Sequence, residues 1–100
     1  MAKALVGDTI VAESDETVKI EGNYYFPPQS VDMQYFSEPT ELHTTCHWKG
    51  EASYRDVKAD GEVLKNAAWF YPSPPEDAIK RVGVDFSNYV AFYPQVTIVE

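Results

Sequence analysis

One hundred residues make one domain of ordinary size and leave no room for two separate cores, so residues 1–100 are expected to fold as a single unit. Apolar side chains make up 44% of the chain and aromatics 14%, too rich a supply for a disordered segment even at a net charge of -8. Sixteen acidic against eight basic residues repel phosphate backbones and anionic bilayers, and no basic stripe is interleaved with aromatics, so neither nucleic acid nor a membrane is an expected partner.

No apolar run approaches the roughly 18 residues that a membrane helix needs. Met1 to Val11 carries Asp8 within a short apolar stretch, so no targeting segment is expected. Cys46 is the only cysteine and has no partner for an internal disulfide. Nothing marks an oxidising compartment, and the cytoplasm is the expected location.

Along the chain, Thr9 to Ala12 and Thr17 to Glu21 flank the polar Glu13-Ser14-Asp15-Glu16, which predicts a hairpin. In its second arm Val18 and Ile20 alternate with Thr17, Lys19 and Glu21, the period of a sheet with one face buried, and Gly22-Asn23 ends the arm. Tyr24-Tyr25-Phe26 continues as an extended aromatic run. Pro27-Pro28 then removes two ladder donors and starts a short helix over Gln29 to Tyr35, stopped by Ser37-Glu38-Pro39.

From Thr40, the residues Leu42, Thr44, Thr45 and Trp48 predict a strand that ends at Lys49-Gly50. Ala52 to Lys58 and Glu62 to Tyr71 flank Ala59-Asp60-Gly61, and Asp-Gly between two such runs is the strongest hairpin signal in the chain. Ser73, Pro74 and Glu76 then spell a capping box ahead of a helix with Ala78, Ile79 and Val82 on one side and Gly83 as its stop. Tyr89 to Tyr93 and Val96 to Val99 supply two last strands around Pro94. The sum is a mainly β, α+β domain of compact antiparallel sheets with one or two short helices.

Reactive side chains concentrate between His43 and Gly50. A metal held by His43 and His47 would need a helix, because on a strand rising about 3.3 Å per residue the two rings stand roughly 13 Å apart, whereas each zinc–nitrogen bond spans about 2.1 Å. No Cys-x-x-Cys pair supplies other ligands, so neither metal nor cofactor is expected. Both histidines are an odd number of residues from Cys46, which on an unbroken strand places them on the opposite face and favours a buried, unactivated thiol. Asp56 and Asp60 read as turn and surface residues. Phosphate loops, dinucleotide fingerprints, the serine elbow and the zincin motif are all absent.

The same alternation gathers Cys46 and Trp48 with Ala52-Tyr54 and Ala67-Trp69-Tyr71. Small residues beside large aromatics are the makings of a hollow, though equally of a plain sheet core. Lys49 before Gly50 reads as an anion anchor for such a pocket or as a solvated turn.

In order and spacing, Val11-Ala12-Glu13-Ser14, Tyr25-Phe26-Pro27, Thr44-x-Cys46-x-Trp48-Lys49-Gly50-x-Ala52-x-Tyr54, Ala68-Trp69-x-Tyr71-Pro72-x-Pro74 and Val90-Ala91-Phe92-Tyr93 resemble domain of unknown function family 427 over nearly the whole chain. The resemblance implies a small bacterial β protein of the β-tent, Mss4-like kind with no established activity. Relatives of that fold often carry zinc on paired Cys-x-x-Cys knuckles, which this chain lacks, so zinc is not carried over. The family is sometimes labelled nucleotidyltransferase-like, but no Gly-Ser followed by Asp-x-Asp is present, and that label is not carried over either. His47 stands where many members have proline.

Two functions follow as expectations. The first is a domain that binds a small molecule in a site lined by Cys46, Trp48, Lys49, Tyr54, Trp69, Tyr71 and Tyr93. The alternative is a protein-interaction or self-associating module without catalytic activity, monomer or homodimer, that uses strand edges or the aromatic surface near Tyr24 and Tyr25. A third class, an enzyme that depends on Cys46, predicts a rapidly alkylated thiol.

Overall fold

Tight turns organise the first quarter of the chain, all 100 residues of which are described by the computed structural model. Strand β1 (Ala2–Val6) folds back on β2 (Thr9–Ser14) through Gly7-Asp8, with Val6 opposite Thr9. Strands β3 (Val18–Ile20) and β4 (Asn23–Tyr25) close over Glu21-Gly22, whose φ values of 53° and 84° are those of a type I′ turn. The hairpin expected between Thr9–Ala12 and Thr17–Glu21 is thereby corrected, since each segment pairs with a nearer neighbour. Strand β1 carries little sequence signal because its inward residues Ala2 and Ala4 are weak strand formers.

The helix expected over Gln29 to Tyr35 is instead two separate 3-10 turns, Pro28–Ser30 and Met33–Tyr35. It breaks at Val31 and Asp32 because their backbones are engaged with β2: Val31 bridges Ala12, and the Asp32 N–H donates to the Val11 carbonyl at 2.9 Å.

Strands β5 (His43–Cys46), β6 (Gly50–Ala59), β7 (Glu62–Phe70) and β8 (Val90–Phe92) form an antiparallel sheet in that order. Strand β9 (Thr97–Val99) joins the first hairpin in the order β2-β1-β9. Asp60-Gly61 closes β6 onto β7 with φ of 55° and 74° and Ala59 facing Glu62, as the Asp-Gly pair predicts. The fold is therefore mainly β and antiparallel, with α1 (Glu76–Val82) as its one α-helix. No helix is long and apolar enough to cross a membrane.

Helix α1 starts later than its sequence predicts. The Ser73 capping box does not form; Pro75 is the N-cap, with no side-chain cap. A proline pushes the residue before it out of the helical region, so Pro75 denies Pro74 the first helical position. The carbonyl of Pro75 then accepts the N–H groups of Ala78 and Ile79 at 2.9 and 3.2 Å, and Gly83 ends the helix as expected.

Each face of the four-stranded sheet carries a buried apolar cluster, centred on β6 and the second half of β7. Along β6, alternation sends Ala52 and Tyr54 to one side and Val57 and Ala59 to the other. The Val57 side packs on β1, β2, Phe26 and Phe92; the Tyr54 side packs on Ile20, Tyr25, Ala78 of α1 and Phe86. Where β7 carries two extra residues against β6, Asn66 takes φ 52° and the ladder is interrupted between Arg55 and Val57. Asp56 fills the gap: its Oδ1 accepts the Asn66 N–H at 2.8 Å, and its own N–H donates to Ser37 Oγ at 2.8 Å. Expected on the surface, Asp56 is 8% exposed. The same bulge turns Ala67 to the Val57 side, away from the Trp69 and Tyr71 with which strict alternation would group it.

Candidate functional site

The seven residues expected to line one pocket divide between a turn, a core and a surface ledge. Strand β5 stops at Cys46, which pairs with Gly50, and His47-Trp48-Lys49 form the loop between them. Trp48 thus lies on a turn and not on a strand face shared with Cys46. Gly50 makes this possible: its φ of 94° is open to glycine, and a Cβ there would lie 3.4 Å from the Pro75 ring and 3.6 Å from the Ser73 carbonyl.

The loop turns Lys49 inward. Its side chain is 7% exposed, and its ammonium binds the carboxylate of Glu21, which is 52% exposed at the tip of the β3-β4 turn. The same ammonium lies 5.4 Å from the Trp48 ring centroid and 5.2 Å from that of Tyr71. Burial works against the charge, yet the Glu21 hydrogen bond and the neighbouring phenols hold the Lys49 ammonium above its ordinary pKa. Glu21 is held below its ordinary value, first by the Lys49 hydrogen bond against an opposing effect of burial, then by the Lys49 charge, the Trp48 side chain and the Arg81 charge. Tyr71 is pushed up to about 12, chiefly by burial, and burial raises Tyr25 as well.

Arg81, in the last turn of α1, lays its guanidinium 4.2 Å from the Trp48 ring centroid. It is exposed and enters none of the molecule's salt bridges. This stack divides two grooves. One, of about 280 Å³, is lined by His47, Trp48, Pro75, Asp77, Ala78 and Arg81. The other, of about 270 Å³, is lined by Lys19, Ile20, Glu21, Trp48, Arg81 and Val82. Trp48 and Arg81 belong to both, so the stack offers a flat apolar face and a fork of unpaired donors in one place.

Elsewhere the expected residues fill space. Tyr54 and Tyr71 are buried, and Cys46 is half-buried against the same cluster. Tyr93 stacks on Tyr54 with ring centroids 6.4 Å apart and leans on Trp69 at 4.8 Å, so these three form a ledge on which only Tyr93 is well exposed. Their polar atoms have protein partners: the Tyr54 hydroxyl meets Thr44 Oγ1 at 2.8 Å, and Trp69 Nε1 donates to the Tyr25 hydroxyl at 3.0 Å. Cys46, Lys49, Tyr54, Trp69, Tyr71 and Tyr93 line none of the four concavities of the surface; Trp48 lines two.

His43 faces Ser53 and Glu51, its Nδ1 lying 3.4 and 3.7 Å from their oxygens. No group of three or more His, Cys, Asp or Glu side chains is arranged to hold a metal ion. The largest concavity, about 390 Å³ beside β2, has Glu13 and Asp32 on its walls and neither an aromatic ring nor a cation. Tyr25, expected to contribute to an aromatic surface, is fully buried, while the Tyr24 hydroxyl donates to Glu100.

A family model described as a domain of unknown function, DUF427, matches residues 2–100, and the chain belongs to that family. No curated protein matches it.

Proposed function

From this membership and the geometry around Trp48, we propose that the domain binds a small molecule in the paired grooves on either side of the Trp48 and Arg81 stack. The observation that carries the reading is a guanidinium held over an indole face with no carboxylate of its own. Stacking fixes the arginine without using its in-plane N–H donors, which suits them to an incoming acceptor. Of the residues first expected at the site, Trp48 forms the shared wall. Lys49, Cys46 and Tyr71 pack behind it, and Tyr54, Trp69 and Tyr93 support the sheet to one side.

A thermal-shift screen of metabolites tests this. A ligand present at a hundredfold excess over its Kd stabilises the fold by about 2.7 kcal/mol. That gain is expected to fall sharply in Arg81→Ala and Trp48→Ala. A ligand whose effect is undiminished in both variants binds elsewhere and sinks the proposal.

A second reading rests on β5. Its outer edge pairs with no strand, its residues His43, Thr44 and Thr45 are exposed, and neither proline nor lysine blunts it. Such an edge suits addition of a strand from a second copy. Sedimentation over a wide concentration range decides: a dimer abolished by Thr45→Pro supports self-association, and a strict monomer removes it.

A further inference from the structure

The seat beneath the stack already holds an acid. Glu21 reaches it from a two-residue turn, in a left-handed conformation that asparagine or glycine would take with less strain. Its carboxylate meets the buried ammonium of Lys49, and Arg81 and Lys19 line the same groove. One carboxylate therefore meets one ammonium and shares its groove with an arginine and a second lysine, on a protein whose net charge is -8. The receiving side is enclosed, with Lys49 between the Trp48 and Tyr71 rings. The donating side is open to solvent, because Glu21 sits half in water on a hairpin tip.

We propose that Glu21 is an internal stand-in for the ligand, and that the groove takes an aromatic or otherwise flat carboxylate whose acid group displaces Glu21 from Lys49 while its ring lies against Trp48. The inference rests on the groove being the binding site and adds the class of ligand. A carboxylate matches both the ammonium and the free arginine fork. Displacing Glu21 releases it into water, where half of its surface already lies. A neutral ring binds the apolar wall alone and leaves Glu21 in place.

The test titrates benzoate and its uncharged counterpart benzamide into the wild type and Glu21→Gln, following the Trp48 indole N–H resonance with that of Trp69 as the internal reference. If Glu21 holds the seat roughly nine-tenths of the time, vacating it tightens benzoate about tenfold and leaves benzamide unchanged. Equal benzoate affinity in the two proteins, with benzamide still shifting Trp48, overturns the stand-in and leaves the groove reading intact. If neither probe shifts Trp48 in either protein, both fall. A measurement on the wild type alone covers poor folding of the variant. At neutral pH saturating benzoate must shift the Glu21 carboxyl carbon resonance as that group loses Lys49, and an unchanged Glu21 resonance overturns the proposal.

Discussion

Lys49 is a charged residue that the fold encloses and then satisfies with one partner. Removing that partner leaves an ammonium in a largely dry site, so Glu21→Gln is expected to lower stability by about 1–2 kcal/mol, less than for a fully buried pair because water reaches Glu21. The acid dependence has a definite sign. Glu21 is held below its ordinary value near 4.5, so its pairing contributes fully above that pH and is lost as the pH falls through the depressed value. Urea denaturation across an acid series should show the gap between wild type and variant closing as the pH drops; a constant gap contradicts the pairing. At the other extreme, Tyr71 ionises near 12. A tyrosinate absorbance titration should contain a late component above the ordinary range that Tyr71→Phe diminishes, the remainder coming from the other raised tyrosines such as Tyr25; an undiminished late component contradicts the burial of Tyr71. At this scale the sequence was half legible. Lys49 before Gly50 stood out as either an anchor or a solvated turn, and it proved to be buried. Arg81 carried no signal, because its partner Trp48 lies 33 positions away and only the tertiary fold brings them together.

Among the elements, backbone chemistry that is local was readable and competition between partners was not. Asp60-Gly61 specifies its own turn, and Gly83 ends its helix without reference to anything distant. The pairing of β2 depended on whether Gly7 or the acidic run after Ala12 would make the turn, and the shorter loop prevailed. The capping box failed for a reason visible in the sequence, the second proline at position 75, whose effect on Pro74 outweighs the Ser-x-x-Glu spacing. The bulge in β7 left no trace except an asparagine and an aspartate ten residues apart that close on each other. Asp56→Ala should leave the Asn66 N–H without its acceptor at a cost of about 1–3 kcal/mol. Hydrogen exchange should report faster opening at Asn66, and unchanged protection there would remove Asp56 from its role in the bulge.

Across the whole molecule, one sheet serves two apolar clusters, and neither can lose its wall without exposing the other. Unfolding is therefore expected as one cooperative transition. Tryptophan fluorescence, which reports the Tyr54 side through Trp48 and Trp69, should coincide with far-ultraviolet circular dichroism in a urea titration; separated midpoints would show two independent units. The mainly β, antiparallel character was legible from alternation and turn residues. The two-sided burial was not, because β6 alternates apolar with semi-polar side chains such as Ser53 and Arg55 that reads as one wet face. Arg55 resolves this by lying 5.1 Å from the Phe70 ring centroid and donating to the Ser37 carbonyl, which covers that face with a packed cation.

Gly50 sets an alignment. Its bare backbone lets the segment leading into α1 settle directly on the β5-β6 loop, so the spacing between the indole and the guanidinium is dictated by main chain against main chain. A side chain at that position would make only ordinary contact with Pro75 and Ser73. It would, however, have to hold a φ of 94° that glycine alone takes without strain, so the loop carrying the indole would be pressed to reshape while every residue of the grooves kept its identity. A surface of this construction can be detuned from beneath, through one backbone angle that belongs to none of the residues lining the grooves.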